Sequence, residues 1–172
     1  SVTDRVLRSS KLPVLTVRPG THTGFGDLGL PSVVVVPLDG SEVSHSAIEP
    51  AIEIAKATGA EIVFMQAIRQ LAGSGIDYYY DPTPDREARL DYLSEFANRA
   101  KEQGLEARSH VLMGPPAIRI IEEVQEFEGG LVVMSSHGSS GLPRWMVGSV
   151  ADKVIRASRR PVLVIPPSPG IR

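Results

Sequence analysis

The chain contains no cysteine, and its four histidines, His22, His45, His110 and His137, never stand three or four residues from one another. Disulfides, thiolate chemistry and most structural zinc sites are thereby excluded, and a metal held by side chains alone has few ligands to draw on. Charge of one sign is also missing. Eighteen Lys and Arg face twenty Asp and Glu, a net charge of -2, so nothing rewards a polyanion across the whole surface and neither nucleic acid nor membrane is an expected partner. No apolar run is long enough to span a bilayer, and Ser1 to Arg8 has neither an apolar segment nor a small-residue cleavage site, so the expected address is cytoplasmic. The dinucleotide fingerprint G-x-G-x-x-G and the phosphate loop G-x-x-x-x-G-K-[ST] are both absent, which disfavours standard dehydrogenases and P-loop ATPases. What remains is 172 residues, 42% of them hydrophobic, enough for one well-buried core.

One feature of the chain is an internal repeat. Residues 1–19 lie over residues 149–167 without a gap, with identities at Ser1/Ser149, Val2/Val150, Asp4/Asp152, Val6/Val154, Arg8/Arg156, Ser10/Ser158, Pro13/Pro161, Val14/Val162, Leu15/Leu163 and Pro19/Pro167. Because the second copy closes a domain, residues 1–19 read as the last helix and strand of a preceding repeat. Residues 20–31, glycine-rich and aperiodic, then form a linker, 32–168 the domain and 169–172 a tail. A helix and strand without their own sheet need a host. The expectation is that Pro13 to Val17 pairs with a last strand, either Pro161 to Ile165 of the same chain or that of a neighbour.

Within the domain, strand and helix patterns alternate. Val33 to Val36 is a continuous β-branched run, the mark of a parallel strand buried on both faces. With Ser44 as N-cap, Ala47, Ile48, Ala51, Ile52 and Ala55 form a helical stripe that ends at Gly59. Ile62 to Ile68 is a strand, and Leu71 to Pro84, with Tyr78, Tyr79 and Tyr80, a long loop. Leu90, Leu93, Phe96, Ala97 and Ala100 mark a helix, and Ala107 to Met113 an alternating strand. Proline opens a further helix at Gly114-Pro115-Pro116, lined by Ile118, Ile121, Val124 and Phe127. Leu131 to Met134 is a second doubly buried strand. After a loop from Ser136 to Val147, a helix begins at Gly148-Ser149 with Val150, Val154 and Ile155 inward, and Pro161 to Ile165 is the last strand. Five strands alternating with four helices predict an α/β, doubly wound parallel sheet with helices on both faces.

Sheets of this kind bind ligands beyond the carboxyl ends of their strands. That rule selects Asp39, after the first strand, and the segment Ser135 to Ser149. Gly138, nine residues, then Gly148-Ser149 at a helix start gathers backbone N–H groups, a positive helix terminus and a hydroxyl around one concavity suited to phosphate. The same glycines also serve as plain turn residues. Ser149 either caps the helix or donates to a phosphate oxygen. Asp39 either accepts from a ribose or adenine or caps the turn that follows it. His137 acts as a base or orients its loop, with no serine or carboxylate paired to it by spacing. Arg144 can reach a terminal phosphate, Trp145 folds onto the core or a partner, and the three tyrosines stack on a base or form a flap or contact. His45 with Glu49 reads as an exposed helix pair, and His22 as linker.

With these residues in hand, the chain from about Val33 to Pro166 resembles the universal stress protein family. That family's hallmark is Gly, two residues, Gly, nine residues, Gly, then Ser or Thr; here the string is Ser135-Ser136-His137-Gly138, nine residues, Gly148-Ser149. The flanks Leu131 to Leu142, Gly148 to Ile155 and Pro161 to Val164 are typical of it. The resemblance implies a Rossmann-like sheet of five strands in the order 3-2-1-4-5, with some members binding ATP at its carboxyl edge and others having lost it. Carried over, Asp39 would hold the adenosine, Ala67 and Met134 would line the base pocket, and Gly138, Gly148, Ser149 and Val150 would contact the ribose or phosphates, with Pro37, Leu38 and Ser135 also counted among the cofactor-binding residues. Ser135 departs from the pattern, adding a Cβ and a hydroxyl where ATP-binding members have glycine. The implied cofactor is ATP, with magnesium left open. The implied assembly is a homodimer or tandem pseudo-dimer through last-strand edges. The expected role is a nucleotide-binding stress or regulatory module with little or no turnover. The alternatives are a slow ATPase or nucleotide transferase using Asp39, His137 or Arg144, a ligand-free interaction module, and a phosphorelay receiver on Asp39, for which Pro37 and Leu38 stand where companion acids are needed.

Overall fold

The computed structural model describes residues 2–21, 24–25, 29–68, 83–138 and 147–166. Helix α1 (Val2–Ser9) and strand β1 (Val14–Thr16) precede β2 (Val33–Pro37), a 3-10 turn (Ser44–Ala47), α2 (Ile48–Thr58), β3 (Glu61–Ile68), α3 (Thr83–Glu102), β4 (Ala107–Met113), α4 (Pro116–Gln125), β5 (Gly130–Ser135), α5 (Ser149–Ala157) and β6 (Val162–Ile165). Tyr78 to Tyr80, Arg144, Trp145 and His22 lie outside the described residues.

The strands form one sheet of six in the order β1-β6-β5-β2-β3-β4. The expected five-stranded, all-parallel sheet of order 3-2-1-4-5 is corrected here: β1 adds a sixth strand, antiparallel to β6, while the other neighbours, β4-β3-β2-β5-β6, are parallel. The physical reason is the bare edge of β6, whose backbone groups would otherwise be left unpaired. Val14 faces Val164, Leu15 faces Leu163 and Thr16 faces Val162. The Thr16 hydroxyl adds a 3.0 Å bond to the Val162 carbonyl. Leu15 and Leu163 are equivalents in the sequence repeat, so the register is centred on a matched pair. Little else holds the N-terminal segment: α1 buries none of its residues, although Leu7 packs against the core and Arg156 reaches Asp4 at 3.1 Å. Leu12, Leu15 and Val17 remain more than half exposed.

The opposite edge, β4, carries charge. Arg108 pairs with Glu61 at 2.9 Å and lies over the Phe127 ring, and His110 Nδ1 meets Glu123 Oε1 at 2.5 Å. Within residues 20–31, Phe25 packs against the core and Pro31 is buried.

Alternation of side chains along the strands divides the core between the two faces of the sheet. Val34, Val36, Ile62 and Phe64 pack with Ile48, Ile52, Leu93 and Ala97 of α2 and α3. Val35, Val63, Val132 and Val164 pack with Ile120, Val124, Val154 and Ile155 of α4 and α5. Fully burying each such aliphatic or aromatic side chain is worth about 1.5–3 kcal/mol. Helix α2 ends as its sequence indicates: Gly59 takes φ +72, and its N–H returns to the Ala55 carbonyl at 2.8 Å. Its start differs, because Ser44 opens the 3-10 turn and donates its hydroxyl to the Ser41 carbonyl at 2.7 Å rather than capping α2. Helix α4 is rotated from the expected face. Ala117, Ile120, Glu123 and Val124 are buried and Ile118 is 50% exposed, because its glutamate turns inward to His110. No helix among the described residues is long and apolar enough to cross a membrane.

Candidate functional site

A cleft of about 430 Å³ opens at the carboxyl edge of the sheet, where β2, β3 and β5 end and α5 begins. That is within the usual range for small-molecule sites. The ten residues carried over above line it, together with His137: Pro37, Leu38 and Asp39 follow β2, Ala67 is on β3, Met134 and Ser135 end β5, and Gly138, Gly148, Ser149 and Val150 lead into α5. The strands bring them together because β2 lies between β3 and β5, so the peptide after it enters a gap bordered by both neighbours.

One wall is built from main chain. Gly148, extended at φ -63 and ψ 149, is the N-cap of α5 and makes no side-chain cap bond. Ser149 is therefore a first-turn residue. Helix geometry gives the N–H groups of the first turn no partner inside the helix, and Ser149, Val150 and Ala151 all border the cleft. The loop is braced from behind by Gly148 N–H donating to the Ser136 carbonyl at 2.8 Å. Ser135 is 5% exposed and its hydroxyl donates to the His137 carbonyl, so the side chain that departs from the glycine pattern is tied into the loop. Ser136 Oγ lies 2.8 Å from His137 Nδ1, a pairing of neighbours that spacing rules overlook.

The facing wall carries Asp39. Its Oδ1 accepts from the N–H of Ser41 at 3.0 Å and from the Ser41 hydroxyl at 2.5 Å, which is the turn-capping role. Its other oxygen crosses the cleft: a Cβ built on Gly138 would stand 2.5 Å from Oδ2. Only glycine permits that approach. Beneath Asp39, Tyr92 holds His45 Nε2 at 2.7 Å. Burial, then the charges of Asp39 and Glu95, push the Tyr92 hydroxyl up to about 12, against a hydrogen bond with Ser44 that lowers it. His45 is thus a partner of Tyr92, while Glu49 pairs with Arg99, and the expected His45–Glu49 pair is not formed.

Sequence reasoning missed Ser44, Gln66, Arg89, Pro116, Ile120 and Ala151, which complete the lining. Two of them left a readable sign. Arg89 continues the stripe of Leu93, Phe96 and Ala100 by one helical turn, and Gln66 is the one polar residue between Ile62 and Ile68. No group of three His, Cys, Asp or Glu is placed to hold a metal ion among the described residues.

Comparison with known proteins gives three kinds of likeness. Residues 32–166 match a model of the universal stress protein family. The universal stress protein MJ0531 of Methanocaldococcus jannaschii is 32% identical over 136 residues, 77% of this chain and 80% of that protein. Among solved structures, hypothetical protein MJ0577 shares the fold at a TM-score of 0.72 with 19% identity, covering 82% of this chain and 99% of its own. A universal stress protein in complex with cAMP superposes at a TM-score of 0.60 with 27% identity, covering 81% and 99%.

Proposed function

This chain belongs to the universal stress protein family, and on that premise we propose that its cleft binds an adenine nucleotide, ATP in the first instance. The chain then acts as a nucleotide-binding stress-response module with little or no turnover. The observation that carries the reading is the closeness of Asp39 Oδ2 to Gly138. It sets a carboxylate, which grips hydroxyls and amines, opposite the glycine-flanked amides at the start of α5, which favour anions. A ribose phosphate needs those two opposite chemistries a few ångströms apart. Pro37, Leu38, Ala67 and Met134 would enclose the base and sugar, and Ser135, Gly138, Gly148, Ser149 and Val150 the phosphates. The cAMP-bound relative supports a nucleotide ligand in a fold of this kind.

A slow ATPase is the second reading. It is favoured by the contact between Ser136 Oγ and His137 Nδ1, which orients an imidazole at the cleft. Residues 1–19, on our reading, are the closing helix and strand of a preceding repeat, paired as last strands pair in a tandem or dimeric member. The matched pair Leu15 and Leu163 supports this.

The test is mass spectrometry of nucleotide released from the native protein, with titration of ATP into wild type, Asp39→Ala, Gly138→Val and Ser135→Gly. Binding by wild type and Ser135→Gly, lost in the other two, is expected. Failure of all four to bind removes ATP, and phosphate release that disappears in His137→Ala moves the protein to the second reading.

A further inference from the structure

The geometry points to a further ligand site, an anion-binding hollow at the amino ends of β5 and β6 that takes a diphosphate or a similar small polyanion. It lies at the opposite end of the sheet from the nucleotide cleft and does not depend on the nucleotide reading. The hollow, about 490 Å³, is lined by Arg18 to Thr21 after β1, Gln125 at the end of α4, and Ser158 to Arg160 between α5 and β6. Three of these residues are arginines and none is acidic, in a chain whose net charge is -2. Topology gathers the cations. Strand β1 runs antiparallel to β6 with Leu15 facing Leu163, so Arg18, three residues further on, is carried toward Arg160, three residues before. Like charges brought together across an antiparallel pair weaken it, and an anion held between them makes the approach favourable.

Backbone turns hold both sides of the hollow. The N–H of Thr21 returns to the Arg18 carbonyl at 3.1 Å across Pro19 and Gly20, whose φ of +76 closes the turn. Opposite, the Ser158 hydroxyl donates to the Arg160 carbonyl at 2.9 Å and accepts from the Arg160 N–H at 3.0 Å. Ser10 makes the same two bonds with Leu12 in the first copy of the repeat, at 2.9 and 3.1 Å. The turn is common to both copies, but the paired guanidinium groups are not, since Lys11 and Leu12 stand where the second copy has Arg159 and Arg160. The turn itself therefore requires neither arginine. Arg18 spends one of its several N–H donors on the Arg156 carbonyl at the end of α5, which fixes its guanidinium at the rim. Arg160 stands beside Glu128, because a Cβ on Gly24 would meet Arg160 Nη1 at 3.2 Å and Glu128 Cγ at 3.0 Å. Neither Arg18 nor Arg159 meets a carboxylate among the described residues. Two planar guanidinium forks from separate segments match the paired oxygens of phosphate groups, and Thr21 and Gln125 add a hydroxyl and an amide. An occupant ties the N-terminal segment to the domain, where α1 buries none of its residues and β1 has three ladder positions.

The experiment follows backbone amide resonances of the isotope-labelled full chain during titration with pyrophosphate at constant ionic strength. Wild type is compared with Arg18→Gln, Arg159→Gln and Lys56→Gln, the last removing a positive charge from α2, remote from the hollow. Saturating shifts at Gly20, Thr21, Gln125 and Arg159 are expected in wild type, with affinity about tenfold weaker in either arginine variant and unchanged in Lys56→Gln. Without pyrophosphate, Arg159→Gln should be no less stable to urea than wild type, since it relieves repulsion and breaks no bond of the turn. Shifts confined to Gly148 to Ala151 would put pyrophosphate in the nucleotide cleft and overturn the site. So would a response to chloride equal to that to pyrophosphate, equal affinity in all four proteins, or a loss in Lys56→Gln as large as in Arg159→Gln. A marked loss of stability in Arg159→Gln would assign that arginine to the fold and overturn the site as well.

Discussion

Replacing Gly138 by alanine adds one methyl group, and the structure indicates where the strain goes. The new Cβ would lie 2.5 Å from Asp39 Oδ2, whereas a carbon and an oxygen in ordinary contact sit about 3.3 Å or more apart. The carboxylate must retreat by roughly 0.8 Å, or rotate and release the Ser41 N–H and hydroxyl that hold its other oxygen. Lengthened by that amount, the 3.0 Å bond from the Ser41 N–H is no longer a hydrogen bond. If Asp39 grips the ligand, Gly138→Ala forfeits a charge-assisted bond worth about 1.5–3 kcal/mol, or roughly a tenfold to hundredfold loss of ATP affinity. Because Asp39 is exposed, global stability should change by about 1 kcal/mol or less. Isothermal titration and urea unfolding read the two quantities separately. Gly148→Ala is the control, since among the described residues its Cβ would meet nothing nearer than 3.4 Å, and it should leave stability unchanged. Wild-type affinity in Gly138→Ala would refute the opposition of Asp39 and Gly138 on which the site is built.

Three further outcomes are expected. Tyr92 has its hydroxyl raised from 10.0 to about 12, so the unfolded chain loses this proton first and stability falls as pH rises through that window. Tyr92→Phe should flatten that alkaline loss in thermal melts between pH 9 and 12, and an unchanged slope would deny the burial. Arg89→Ala should weaken ATP about threefold to tenfold at low salt while sparing adenosine, and an equal effect on both would show that the cation serves only the wall. Deleting residues 1–19 uncovers the β6 edge and should give larger species in light scattering, whereas an unchanged mass with unchanged solubility counts against edge protection.

The core strands were legible because Val33 to Val36 and Leu131 to Met134 are β-branched or apolar without interruption, which only burial on both faces accommodates. The cleft was legible because strand ends converge by topology and the glycines mark where backbone approaches backbone. Other features depended on contacts remote in sequence. Helix α4 turned its glutamate inward because His110 waits on β4, a partner no helical period reveals. Tyr92 took His45 from Glu49 because α3 crosses the turn before α2, and Arg99 took the glutamate in exchange. Gln66 and Arg89 were visible as departures from apolar patterns, yet a departure acquires meaning only when the cleft it borders is known.

Strand β1 does more than fill a vacant margin. With β6 covered, the sheet ends on one side in β1, an edge only three residues long, and on the other in β4, which bears Arg108, His110 and the carboxylates paired with them. A newcomer seeking to extend the ladder there would have to strip water and counter-charges from these groups before gaining its first backbone bond. Growth by strand addition is thus opposed at both ends by different means, one by the shortness of the edge and one by solvation. A protein accumulated to high concentration in a cell would remain a finite particle rather than seed a fibre.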